Sequence, residues 1–428
     1  IHVVNTQANP DIIIDEVTNN DGQLQLVDVP PGDFAYEINV SKPGYSSAQT
    51  YTIDPDVNPN PLPTHPTVDI GQVTPISFEI NEVSQLEVRS LTNLCAVAPN
   101  LPFNLKGAKT IGVSPTVLKY DEDFTTTSAG EKSLANLEED DYLIAPTSAS
   151  YDLAGTMPLL PIVLPPGTTQ NVALVLAPKI PRALLVVVKD GVTKLPLSGA
   201  SVTLTRASSG FNETLITDRG FWRQTDWSGG ADQVEFTDAT RFFAVDLMAN
   251  ADPLAQAGEV RLRDFSGSFA SSGWLESSIF DTGGSQSTYY NLSWSPTDQP
   301  VETGADSVKF QIASANSTTS PFIYLGPDGT ANTYYTTLDT NLNSIHNNQR
   351  FVRYKLFLTT IDPAFTPSVS EMAITFGSEC LPFGQVFWSG LTAGIYTLNV
   401  TAEGYQPYGN DNLSISANWQ SVEVTLNP

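Results

Sequence analysis

Cysteine, histidine and basic residues are all scarce in this chain, and each scarcity closes off a class of function. Two cysteines, Cys95 and Cys380, in 428 residues cannot build a disulfide-dense scaffold, and neither has a Cys or His neighbour at zinc-ligand spacing. His2, His65 and His346 are the only histidines. None stands in an HExxH arrangement, and no Gly-x-Ser-x-Gly elbow, P-loop or Gly-x-Gly-x-x-Gly fingerprint follows a strand-like run. Lys and Arg number 20 against 46 Asp and Glu, a net charge of −26, so nucleic acid and anionic membranes are repelled and no nucleic-acid partner is expected. No run approaches the roughly 18 apolar residues of a membrane span. No basic stretch followed by an apolar one opens the chain, so an export signal or anchor is expected outside this sequence. Helix-forming runs are nearly absent as well.

What is abundant points the other way. Gly 29, Pro 31 and 10% aromatics, with only 15% charged residues, describe many short strands joined by turns. The length exceeds one core and suggests two to four domains at roughly 100 to 200 residues each.

Self-similarity gives the strongest signal. Residues 31–45 read PGDFAYEINVSKPGY and residues 391–405 read LTAGIYTLNVTAEGY, and a degenerate middle copy, DYLIAPTSASY, spans 141–151. Tyr36, Tyr142 and Tyr396 each precede a second tyrosine, Tyr45, Tyr151 or Tyr405, by nine residues. Period-2 alternation puts Tyr36, Ile38 and Val40 on one strand face, and Tyr396, Leu398 and Val400 likewise. A Gly-led strand stands upstream of each tyrosine, from Asp21, Ala129 and Phe383. A closing strand stands downstream, ending at Ile80, Pro178 and Leu426. Each copy therefore predicts a small antiparallel sandwich with its tyrosine buried and the hydroxyl bonded to backbone.

The third copy opens with LLVVVKDGVTKLPLSGASVTLTR, residues 184–206: a strand, a Pro-Leu-x-Gly-Ala turn, a second strand. This run resembles the carboxypeptidase-regulatory-like (transthyretin-like, Cna-B-like) family. The resemblance covers residues 1–80 and 84–232 and resumes at 378. It implies noncatalytic modules used as spacers, stalks and adhesin segments of bacterial surface or pilin-associated proteins. Between the halves of the third copy, runs such as SVKFQIAS (307–314) and FVRYKLFLTT (351–360) alternate as strands of their own. GWLESSIFDTG together with RFVRYKLFLTTIDPAFTPSVSEMAITF is similar to discoidin-like or laminin-G-like jelly rolls.

The expected fold is thus all-β: tandem Ig-like or transthyretin-like sandwiches, the last interrupted by a jelly-roll β-sandwich insertion. The expected domains are 1–82, its first strand missing, then 83–180, then 181–232 plus 378–428, with 233–377 inserted. Aligning the copies sets Ile1–Gln7 against Ser201–Ala207. A counterpart of residues 184–200 is then wanting, and an upstream segment or a neighbouring molecule's strand is expected to supply it.

Several residues could carry chemistry. Trp222 and Trp227, in the Gly-rich run RGFWRQTDWSGG, could stack on sugar rings or cover a core. The acidic runs 121–123 and 138–141 could hold calcium through hard oxygen ligands or be solvated loops. No other cofactor is expected. Lys189 and Asn427 occupy first and last strands, where related pilins form an isopeptide crosslink, but Val400 stands where its promoting acid would. Cys95 and Cys380, each followed shortly by Leu-Pro-Phe, are expected to form a disulfide, the alternative being two separate buried thiols. The expected function is a noncatalytic, extracellular or cell-surface structural protein, a stalk, filament or pilus-associated subunit. Its partners would be copies of itself or other surface proteins. The runner-up is an adhesin or glycan-binding module acting through the inserted jelly roll. An enzyme using two carboxylates stands third.

Overall fold

The computed structural model describes residues 1–246, 249–250, 258–338 and 340–428. The chain divides into two compact units, one of residues 1–90 and 97–179, the other of residues 91–96 and 180–428. Among the described residues every regular element longer than one 3₁₀ turn is a strand, so the all-β expectation holds.

Within the first unit, the middle copy is a complete sandwich. One sheet runs in the order Glu131–Leu137, Ser84–Thr92, Thr169–Pro178, Tyr151–Met157, and the other Ile162–Leu164, Asp140–Pro146, Pro102–Gly107, Asp121–Thr125. Leu86, Val88, Phe103, Leu105, Ile144 and Ile162 are buried, the inward half of each alternating strand. The first copy has a single sheet, in the order Ile12–Asp15, His2–Asn5, Glu37–Val40, Ala48–Gln49. Val3, Ala35, Tyr36 and Ile38 form its small core.

In the second unit, a three-stranded sheet, Gln385–Trp388, Ala183–Asp190, Trp419–Leu426, faces a four-stranded one, Phe211–Ile216, Ser201–Arg206, Gly394–Thr401, Tyr408–Ile415. The Gly394–Thr401 strand shows why: Tyr396, Leu398 and Val400 are buried, while Ile395, Asn399 and Thr401 face out. The insertion is a sandwich of its own. Its two larger sheets are Gly220–Gln224, Glu371–Gly377, Thr288–Ser295, Thr340–Asn341, and a five-stranded sheet centred on Phe351–Thr359; a small third one joins Ala249–Asn250, Val260–Leu262 and Ser368–Val369. One boundary differs from the sequence reading. Gly220–Gln224, expected in the third sandwich, pairs along its length with Glu371–Gly377, because its inward residue Trp222 belongs to the insertion's core.

The three copies share most of their connectivity. In each, the tyrosine strand pairs with the second strand of the copy; its other neighbour is the next strand in the first and third copies, whereas in the middle copy Tyr151–Met157 crosses to the other sheet and Ile162–Leu164 takes that place. Tyr36, Tyr142 and Tyr396 are buried. Their hydroxyls donate to the carbonyls of Pro30, Glu138 and Thr392, the last two at 2.9 Å. Each acceptor stands eight residues after the glycine of the Gly-led run, Gly22, Gly130 and Gly384, all three with positive φ. The register of the first residues differs from the alignment by one. Val3 pairs with Ile38 as Leu204 pairs with Leu398, so Val3 takes the place of Leu204, not Thr203. In a period-2 strand that slip exchanges the faces, which is why Val3 and not His2 is in the core.

Removing either of two buried hydroxyls tests the tyrosine anchors. Tyr142→Phe and Tyr396→Phe should each cost about 1–1.5 kcal/mol, the net worth of one buried hydrogen bond, with the strands otherwise intact. Urea denaturation of the single variants measures it; an unchanged midpoint in both would show that the hydroxyls are idle.

Candidate functional site

The fold places the residues with chemical potential one by one. His2 Nδ1 meets Asp15 Oδ1 at 2.7 Å on the surface, and His65 Nδ1 lies 2.7 Å from Thr50 Oγ1. His346 is buried in the insertion with Ser314 Oγ 2.8 Å from its Nδ1. Each histidine thus has a local structural partner.

Burial pulls the His346 imidazole down to about 4. Its folded pKa lies below the unfolded value near 6.5, so the unfolded chain takes up the proton first. The stability conferred by the neutral ring is complete above pH 6.5 and lost as pH falls toward 4, at about 1.4 kcal/mol per unit. Guanidinium midpoints of the native chain and of His346→Gln should therefore diverge over that window. Parallel curves would show the ring to be solvated.

The acidic runs are engaged by donors. Asp121 and Asp123 stand in a strand, not in the loop expected, because Asn104 across the sheet donates Nδ2 to both at 2.9 Å. Lys106 adds an ion pair to Asp121 at 3.1 Å. Glu138 is clasped by Lys109 at 3.0 Å and Lys119 at 2.5 Å. Asp140 accepts the backbone N–H groups of Lys109 and Asp141. Lys189 reaches Glu423 at 2.7 Å, not Asn427.

Trp222 and Trp227 are not at a surface. Trp222 stacks flat on Phe280, 4.7 Å between centroids with planes 4° apart, and meets Phe236 edge-on. Trp227 donates Nε1 to Tyr354 Oη at 2.8 Å, and Tyr354 donates on to Gln224 at 2.9 Å. Both indoles are buried, so as placed they offer no face to a sugar. The Gly-rich run around them folds over the insertion's core because indole burial outweighs the flexibility of the glycines.

Aromatics do reach the surface elsewhere on the insertion. On the outer face of the five-stranded sheet, Phe357 lies opposite Trp274 on one neighbouring strand and Lys309 on the other. Lys355 Nζ sits 4.0 Å from the Trp274 ring and 2.9 Å from Glu276, and exposed Tyr334 meets Phe357 edge-on at 5.2 Å. Alternation in GWLESS and RYKLFL already puts Trp274 on the opposite face from Leu275, and Phe357 opposite Leu356 and Leu358. That signal, outward aromatics on paired strands, was there in the sequence and went unused.

The covalent feature is the bond between Cys95 and Cys380, whose Cα atoms are 5.4 Å apart and 285 residues apart in sequence. Cys95 sits at positive φ in the hairpin tip 91–96 that groups with the second unit. Gly283 packs directly on that tip: a Cβ there would collide with the carbonyl of Leu94.

No known protein family and no curated protein matches the chain by sequence. Among solved structures it is similar to a streptococcal ancillary pilin, at 14% identity over 43% of this chain and 56% of that one, TM-score 0.19. It is similar also to the Bacillus anthracis TIE protein, at 12% over 81% and 50%, TM-score 0.17. A third is the shaft pilin SpaA from Lactobacillus rhamnosus GG, at 10% over 81% and 98%, TM-score 0.17. The chain spans about half the length of the first two. Superpositions this loose carry no argument, and the fold assignment rests on this chain's own strands.

Proposed function

We propose that this chain is a noncatalytic segment of an extracellular or cell-surface stalk, filament or pilus-associated protein. Its repeated sandwiches would be of the carboxypeptidase-regulatory-like kind, acting as rigid spacers. The observation that carries this reading is the threefold use of one tyrosine-anchored sheet, a plan that repeats a scaffold. The disulfide fits an oxidising compartment. The net charge of −26 keeps such a surface soluble. Antibody raised against the chain should gold-label intact cells, and negative staining of purified material should show elongated particles or polymers. Label appearing only after permeabilisation would sink the proposal.

A second reading keeps glycan binding in the insertion and places it on the Trp274, Phe357 and Tyr334 face, where half-exposed rings flank Lys355 and Glu276. Glycan-array binding lost in Trp274→Ala but retained with the fold intact in Tyr334→Phe would favour it; no binding by the native chain removes it.

A further inference from the structure

The first copy holds a strand position that its own residues do not fill. In the third copy, Ala183–Asp190 lies between Gln385–Trp388, antiparallel, and Trp419–Leu426, parallel. In the middle copy, Ser84–Thr92 lies between Glu131–Leu137, antiparallel, and Thr169–Pro178. The flanking runs have counterparts in the first copy, residues 22–29 and 68–80, and neither lies in a strand.

The glycines show what belongs there. In the third copy the N–H of Val188 donates to the Gly384 carbonyl at 2.7 Å, and in the middle copy the N–H of Ser90 donates to Gly130 at 2.8 Å. Those glycines are hemmed in by the same strand: an added Cβ would lie 2.8 Å from the Val188 carbonyl oxygen, or 2.7 Å from that of Ser90. Gly22 has the same positive φ and the same place eight residues before the tyrosine's acceptor, yet nothing lies within 4 Å of a Cβ built on it. The apolar residues around it are correspondingly uncovered. Val386 and Trp388 are buried, whereas their counterparts Leu24 and Leu26 are only half-buried. Val27, Ile70 and Val73 are 69%, 85% and 85% exposed. An exposed apolar patch beside backbone outside any sheet is a site for strand addition.

We propose that the first copy takes up one further extended strand between residues 22–29 and 68–80. The strand has the chemistry of Ala183–Asp190: about eight residues, aliphatic at the alternate inward positions held there by Leu184, Val186 and Val188. It runs antiparallel to the first flank and parallel to the second, and one of its N–H groups donates to the Gly22 carbonyl. The aliphatic face closes over Leu24, Leu26 and Phe78, turning a single sheet into a sandwich like the other two.

The test uses the full chain with two probes. The first is a synthetic peptide of the sequence of residues 183–190, and the second is the sequence of residues 183–201 fused ahead of Ile1. Hydrogen exchange at the amides of 22–27 and 76–80 should slow at least tenfold with either probe, and the lowest-melting transition should rise. The same probes carrying Val186→Asp and Val188→Asp should do neither. Val73→Asp, at an exposed position, leaves the chain alone unchanged in melting and weakens peptide uptake. If neither probe protects those amides, the proposal is overturned. If instead they become protected on raising the chain's concentration without any probe, the occupant is a second copy and the proposal is equally overturned.

Discussion

Replacing Trp222 or Trp227 with alanine should lower the stability of the inserted sandwich by about 3–5 kcal/mol, the range for deleting a large buried aromatic. Trp222 fills the space between Phe280, Phe236 and Tyr354, and its loss leaves a cavity that a sheet-bound ring such as Phe280 cannot collapse to fill. Trp227→Ala loses packing and also the hydrogen bond that the indole donates to the Tyr354 hydroxyl, which keeps only its own donation to Gln224. The lost bond adds about 0.5–1.5 kcal/mol. Trp274→Ala, on the half-exposed outer face, should cost much less. Chemical denaturation followed by tryptophan fluorescence makes the comparison. Equal, small losses at Trp222 and Trp274 would mean that Trp222 is a surface ring after all.

Breaking the bond between Cys95 and Cys380 should be the other large effect. A crosslink over 285 residues withdraws conformational freedom from the unfolded chain, and the loop-entropy relation gives about 5.6 kcal/mol at that length, with residual structure and native strain reducing what is realised. Cys95→Ser with Cys380→Ser, or the native chain in reductant, should melt well below the oxidised protein in scanning calorimetry. The double variant should in turn be indifferent to reductant. Identical melting of oxidised and reduced protein would show that the bond closes no productive loop.

How much of this was legible in the sequence depends on whether a residue's role is set locally or by distant partners. Tyr396, Leu398 and Val400 were readable because alternation fixes a face without naming what lies beneath it. The tyrosine anchors followed from the repeat, since a hydroxyl on a buried ring must find a partner nearby. Gly220–Gln224 was misplaced for the complementary reason. Its alternation says that Trp222 points inward, but which of two sandwiches lies inward is decided by Glu371–Gly377, about 150 residues away. Trp227 sits in a Gly-rich run that reads as a loop, and only the position of Tyr354 reveals it as core. At Asp121–Asp123 like charges suggested a solvated loop, whereas Asn104, on the facing strand, lets them lie side by side in a sheet. The one-residue slip at Val3 had the least signal of all: in IHVVN apolar residues stand on both faces, so only pairing with Ile38 sets the register.

The disulfide also determines which parts of this polypeptide can lengthen under load. A pull applied on either side of the bond passes from Cys95 to Cys380 through sulfur. The residues between them, which include most of the middle sandwich, the first half of the third and the whole insertion, cannot pay out even if they unfold. At about 3.4 Å for each extended residue, the 285 residues of separation amount to on the order of 1,000 Å of withheld length. Tension then falls on the first copy, whose single sheet is the least braced, and on the strands after Cys380. Pulled from its two ends, a chain so linked would yield first at its thinnest module and keep its largest bodies folded while it does.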